Sequence, residues 1–183
     1  MSETIVLETP RLYLRAYPAE QMHWLFSQSD DVILHYLDLE NQEEVDIEKK
    51  KYQGGYTTYR SSVFGFHLIS RESGRLLGTS GFHNWFAEHQ RAELGYMLRR
   101  ESDRAQGYMK EALELIIPFG FEHLNLSRME AFANPDNTPS IRLLEHFGFT
   151  REGLLKNHFM RGGIAEDSAV YALFRNDFPD RLV

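Results

Sequence analysis

The chain has 183 residues, 42% hydrophobic and 26% charged, with 13 Phe, 9 Tyr and a formal net charge of −7. That composition supports one folded domain over residues 1–183 and excludes a disordered tail or a coiled coil. The absence of cysteine removes disulfides, thiolate metal sites and a cysteine nucleophile, and the acidic balance argues against wrapping a nucleic-acid backbone, whose affinity comes largely from Lys and Arg.

Residues 11–15, Arg-Leu-Tyr-Leu-Arg, alternate polar and apolar and predict a first strand with Leu12 and Leu14 inward. Pro18 opens a helix over 19–29 in which Met22, Leu25 and Phe26 share a face. A second helix is predicted over 42–60, with Val45, Tyr52, Tyr56 and Tyr59 on one side and Gly54-Gly55 breaking or bending it. From Val63 the period becomes two. A strand, a turn over 72–75 and a second strand over 76–84 make a hairpin, and 92–98 adds a third strand, so an antiparallel meander is the economical arrangement.

Over 105–122 the residues Met109, Ala112, Leu113, Ile116, Ile117, Gly120 and Phe121 trace the apolar stripe of a helix packed on a sheet. Pro118 removes an amide donor and crowds the Glu114 carbonyl, which predicts a bend or an early end. A strand follows over 128–133. Asn137 or Thr138 caps the next helix, with Pro139 in its first turn and Gly148 as its stop. Strands over 150–160 and 166–174 flank a Gly162-Gly163 turn. The opening residues lack a basic start followed by an apolar run, and charge and proline interrupt the apolar stretch over 113–121. A cytoplasmic protein with no membrane partner is the expectation.

The chemistry is concentrated in 92–112, where a strand runs through a short basic loop into a helix. The first amides of a helix have no intrahelical partner and carry the positive end of the dipole, so they suit phosphates. Gly107 lets a ligand oxygen approach the backbone, and Arg99, Arg100 and Arg104 add charge. A glycine and three arginines before a helix are also what an ordinary helix start with a solvated basic loop looks like. Among the eight histidines no spacing marks a metal site, and Gly78-Thr79-Ser80-Gly81 lacks the serine-hydrolase elbow.

Arg104-Ala105-Gln106-Gly107-Tyr108-Met109 resembles the Arg/Gln-x-x-Gly-x-Gly/Ala pyrophosphate loop of the GNAT N-acetyltransferase superfamily, with Met109 replacing the final small residue. The similarity continues through Asn134, Asn137, Ser140 and 144–153, and through Thr9-Pro10-Arg11-Leu12-Tyr13-Leu14-Arg15 and 167–173, as in the branch containing the RimJ and RimL ribosomal-protein acetyltransferases. The resemblance implies an α+β, three-layer GNAT-like fold, a central mixed and mostly antiparallel sheet of about seven strands flanked by about four helices. It implies acetyl-CoA as cosubstrate and no metal. Its pantetheine would pair with the strand ending at Met97, Leu98 and Arg99, and its pyrophosphate would meet Arg104 and the amides of Gln106, Gly107, Tyr108, Met109 and Lys110. Asn134 and Asn137 are candidates to bond pantetheine, or else build the turn.

Acetyl transfer to an amine needs the neutral nucleophile. Glu93 stands where many relatives place the base, acting directly or through water; the bland alternative is a strand carboxylate holding a neighbour. The resemblance implies a backbone amide near Met97 for the oxyanion. It also places a tyrosine acid, in many relatives, at the position of Leu144; with no tyrosine there, Ser140 is the candidate partner for the departing sulfur, against an ordinary helix-start serine. His83 could assist Glu93 or simply be satisfied on its strand. The acidic run Asp38, Glu40, Glu43, Glu44, Asp46 and Glu48 lies in the segment that, by the resemblance, borders the acceptor entrance in relatives; the alternative is a solvated helix face. The expected acceptor is a primary amine: a protein N-terminal α-amine, or alternatively a polyamine, amino acid or antibiotic. A catalytically idle acyl-CoA-binding sensor is the reading from another class. Trp85 and Phe86 near a hairpin tip leave monomer and homodimer both open.

Overall fold

The computed structural model describes residues 5–53 and 62–178. Its strands are β1 (Val6–Glu8), β2 (Leu12–Pro18), β3 (Ser62–Ser70), β4 (Leu76–Phe86), β5 (Arg91–Leu98), β6 (Arg128–Ala133), β7 (Thr150–Arg161) and β8 (Ile164–Phe174). Its helices are α1 (Ala19–Phe26), α2 (Asp30–Tyr36), α3 (Gln42–Gln53), α4 (Tyr108–Glu122) and α5 (Thr138–His146). The sheet order is β1-β2-β3-β4-β5-β6-β8-β7, antiparallel except where β5 runs parallel to β6. Among the described residues this is the α+β, three-layer arrangement that the resemblance implies, with one strand and one helix more than expected.

Alternation along β2 buries Leu12, Leu14 and Ala16 on the face covered by α4, where they join Phe66, Phe82, Leu94 and the α4 stripe Leu113, Ile116 and Ile117. The opposite face of β2 presents Tyr17 to a second cluster built from Met22, Leu25, Ile33 and Val45 of α1 to α3. The sheet is thus the middle of three layers. Trp85 packs against the main cluster and Phe86 lies 4.4 Å beneath the Arg91 guanidinium.

Two expectations need correction, and a third lies partly outside the described residues. The helix predicted over 19–29 is α1, which ends at Phe26, and a further short helix, α2, follows from Asp30 where none was predicted. The second predicted helix is α3, and its Tyr56 and Tyr59 lie outside the described residues. Pro118 does not end α4, which continues to Glu122. The proline removes one backbone bond, but Ile116, Ile117, Phe119 and Phe121 on either side are buried, and tertiary packing outweighs the local loss. Gly120 allows the close approach: a Cβ there would stand 2.5 Å from the Phe82 ring.

Candidate active site

The parallel pairing of β5 with β6 lasts for three residues, Arg91 with Arg128, Ala92 with Met129 and Glu93 with Glu130. Beyond Glu93, β5 keeps β4 as its neighbour out to Leu98 opposite Gly78, but has no ladder toward β6. A strand edge buried without a partner is costly, so this edge is suited to an extended ligand carrying amides. The opening widens into a cavity of about 1100 Å³ that runs from the start of α4 to the β7–β8 hairpin.

At one end the chain turns through Ala105 (φ 58°) and Gly107 (φ 80°) into α4. Gly107 occupies the N-cap position in the left-handed region and has no side chain to bond the first amides of the helix. Those amides, with Arg104 and Lys110 on the cavity wall, make a positively polarised corner suited to an anion. Among the described residues neither cation makes an ion pair. Tyr108 and Met109 also line the cavity; the Met109 side chain is buried in the core, so its approach there is through the backbone.

Glu93 lines the other end, mostly buried, with the Asn84 amide donating to its Oε2 at 3.0 Å and His83 Nε2 3.4 Å from its Oε1. Burial pushes the Glu93 carboxyl above the ordinary glutamate range; His83 and the Asn84 bond oppose that rise and Glu130 adds to it. His83 also lines the cavity, its ring lying over Gly95, where a Cβ would come within 2.9 Å of Nε2.

Midway, Tyr96 of β5 reaches across to α5, its hydroxyl 2.8 Å from Ser140 Oγ. Burial raises the Tyr96 phenol and the bond to Ser140 opposes it, so the group remains a neutral hydroxyl around pH 7. Asn137 Oδ1 accepts from the Ser140 amide at 3.3 Å and caps α5 as expected. Asn134 accepts from the Asp136 amide at 2.8 Å and donates to Glu166 at 3.3 Å. Both asparagines therefore build the turn, and both line the cavity together with Met97, Leu98 and Ser140. Leu144 is buried in the core, and the cavity wall on that helix is made by Pro139, Ser140 and Leu143.

Two expected contacts are not at the cavity. The Arg99 amide bonds Leu77 O, and its guanidinium turns to the α2–α3 connection, donating to Leu37 O at 3.0 Å, Asp38 O at 2.9 Å and Glu44 at 3.1 Å. Gln106 is exposed, with its side-chain amide on Ser102 O and its carbonyl accepting from Arg11 at 3.0 Å. Arg100 likewise pairs with Glu40. The basic loop and the acidic run thus neutralise each other in part, and Asp38 accepts from the Leu76 amide at 3.1 Å. Sequence reasoning missed Tyr96, which shares a face with Leu94 and Leu98, and Phe159 and Arg161 of the β7–β8 hairpin, which no local pattern marks. Among the described residues no group of three or more His, Asp or Glu side chains is placed to hold a metal.

Residues 11–150 match the family described as Acetyltransferase (GNAT) domain. The chain is 33% identical to an uncharacterized N-acetyltransferase, YoaA of Bacillus subtilis (strain 168), over 93% of this chain and 97% of that protein. A solved structure from Vibrio cholerae, provisionally named a ribosomal-protein-serine acetyltransferase, is 28% identical with TM-score 0.66, covering 95% of this chain and 99% of that one. A dodecameric structure of a spermidine N-acetyltransferase from Vibrio cholerae is 19% identical with TM-score 0.68, covering 94% of this chain and 99% of that one, and shows the fold alone.

Proposed function

Since the chain belongs to the GNAT acetyltransferase family and is an acetyl-CoA-dependent N-acetyltransferase, we propose that its acceptor is the N-terminal α-amine of a protein. The observation that carries this reading is the pairing of the acidic run. Within the run, Glu44 and Glu40 are held by Arg99 and Arg100, Asp38 by a backbone amide and Asp46 by the Gln42 side chain, and Asp30 beside it pairs with Lys49. A polycationic acceptor needs unpaired negative charge at its entrance; a peptide N-terminus carries one charge and needs far less. The ribosomal-protein name attached to the 28% identical Vibrio cholerae structure supports the same direction.

The residues at the gap fit the cosubstrate: bare helix amides with Arg104 and Lys110 for the diphosphate, and an unpaired strand edge for pantetheine. Acetyl-CoA supplies the activated acetyl thioester. Glu93 takes the proton from the acceptor ammonium, directly or through one water, and its raised pKa brings it nearer the working pH of a base. An α-amine near pKa 8 asks less of that base than an alkylamine near 10.4. A backbone amide near Met97 on the open edge of β5 is the donor for the developing oxyanion. Ser140 donates toward the departing sulfur, oriented by Tyr96. An idle acyl-CoA sensor would have no use for a buried carboxylate beside the thioester end of the cavity.

The test is thiol release from acetyl-CoA with a panel of short peptides, spermidine and aminoglycosides. Acceleration by peptides with free N-termini, abolished by blocking those termini, is the expected result. Acceleration by spermidine alone would move the acceptor to the small amines.

A further inference from the structure

The helix start that would receive the diphosphate carries its own anion. Glu111 lies in the first turn of α4, and its amide bonds the Gly107 carbonyl at 3.0 Å. A free carboxylate there would repel a diphosphate through little screening medium. It is not free. The Thr9 hydroxyl donates to Glu111 Oε1 at 2.5 Å, the Arg11 amide to the same oxygen at 2.8 Å, and Arg11 Nε to Oε2 at 2.6 Å. Desolvation alone would raise the Glu111 carboxyl, but these bonds outweigh it and hold the group below the usual glutamate range.

Arg11 then continues along the loop. Its Nη1 donates to the Gln106 carbonyl at 3.0 Å, its Nη2 lies 3.4 Å from where a Gly107 Cβ would stand, and its guanidinium rests 4.5 Å over the Tyr108 ring. The corner that carries it is itself fixed, with the Leu12 amide on Thr9 Oγ1 at 2.8 Å and the Arg71 amide on the Arg11 carbonyl at 2.9 Å. A trans peptide holds its C=O and N–H in opposite directions, so pulling the Gln106 carbonyl toward Arg11 turns the Gly107 N–H away from it. Arg11 is not on the cavity wall, whereas Gly107 is.

We infer that Arg11 is a positioning residue for the diphosphate subsite: from behind the loop it masks the Glu111 charge and fixes the Gln106–Gly107 peptide so that the helix amides face the cavity. The inference rests on the placement of the diphosphate proposed above. Arginine is needed because one planar fork serves a carboxylate and a carbonyl together, which lysine does not do.

The test compares two donors, acetyl-CoA and acetyl-pantetheine, which lacks the diphosphate, and measures coenzyme A affinity calorimetrically. Arg11→Ala is expected to weaken coenzyme A by about tenfold or more, from the loss of charged hydrogen bonds. The ratio of kcat/KM for acetyl-CoA over acetyl-pantetheine should fall by a similar factor, and adding Glu111→Gln should restore part of the affinity. Equal losses with both donors, or no recovery in the double variant, would overturn the inference. If Arg11→Ala does not fold, Arg11→Lys serves, and wild-type affinity in it overturns the inference too. Gly107→Asp separates the two levels. Unchanged affinity there removes the diphosphate placement itself; a loss there with wild-type behaviour in the Arg11 variants removes the role of Arg11 alone.

Discussion

The Tyr96 hydroxyl lies 2.8 Å from Ser140 Oγ, joining β5 to the first turn of α5 across the open gap. With Leu144 buried in the core, these two hydroxyls are what this part of the cavity offers a departing thiolate. If Tyr96 donates to Ser140, the serine proton is left for sulfur.

Tyr96→Phe should therefore lower kcat several-fold while leaving KM for acetyl-CoA within about twofold, the size of one neutral hydrogen bond. Ser140→Ala should cost more. The double variant should be no worse than Ser140→Ala, because Tyr96 acts through the serine; additive losses in steady-state kinetics would place Tyr96 elsewhere in the reaction.

Glu93→Gln keeps the shape and removes the proposed base. Its kcat/KM should fall by about a hundredfold at neutral pH, and the deficit should shrink as the pH approaches the acceptor's own pKa and the free amine accumulates. In the wild type, the raised Glu93 pKa means that the basic form is lost at a higher pH than for an ordinary glutamate. The acid limb of the pH–rate profile should show that displacement and should disappear in the variant.

Gly107 sits at φ 80° with α4 beginning at the next residue, so Gly107→Asp places strain, bulk and a negative charge at the anion corner. Coenzyme A affinity should drop by at least about tenfold, a loss of roughly 1.4 kcal/mol, read by calorimetry.

His67 is buried, stacked on Tyr17 at a ring separation of 4.3 Å, with Nδ1 unbonded. Burial, then the charges of Arg15 and Arg99, lower its pKa from 6.5 to about 3. The unfolded chain binds this proton more readily than the folded one, so stability falls as pH drops below about 6.5 and the loss is complete near pH 3. The slope from this group approaches about 1.4 kcal/mol per pH unit within that window. Denaturant unfolding between about pH 6.5 and pH 5 should show a shallower pH dependence in His67→Leu than in the wild type, since carboxylates contribute less there.

What the sequence revealed followed from the range of the interactions involved. Residues 128–133 were legible as a strand because Met129, Ala131 and Ala133 alternate, and Asn137 was legible as a cap because its partner Ser140 is three residues away. Helix α2 was missed because seven residues with one buried side chain, Ile33, give no periodic signal. Arg99 was expected at the phosphates because its charge adjoins the loop, whereas its partner Glu44 is 55 positions away. Tyr96 and Arg11 gave no catalytic or binding signal of their own, because Ser140 and Glu111 meet them only through the sheet and the α4 crossover.

The most direct test is a crystal structure with coenzyme A bound. The account predicts its diphosphate within hydrogen-bonding distance of the amides at 107–110 beside Arg104, and its sulfur between Glu93 and Ser140. A diphosphate bound elsewhere on the molecule, or a gap between β5 and β6 left unfilled by pantetheine, would contradict it.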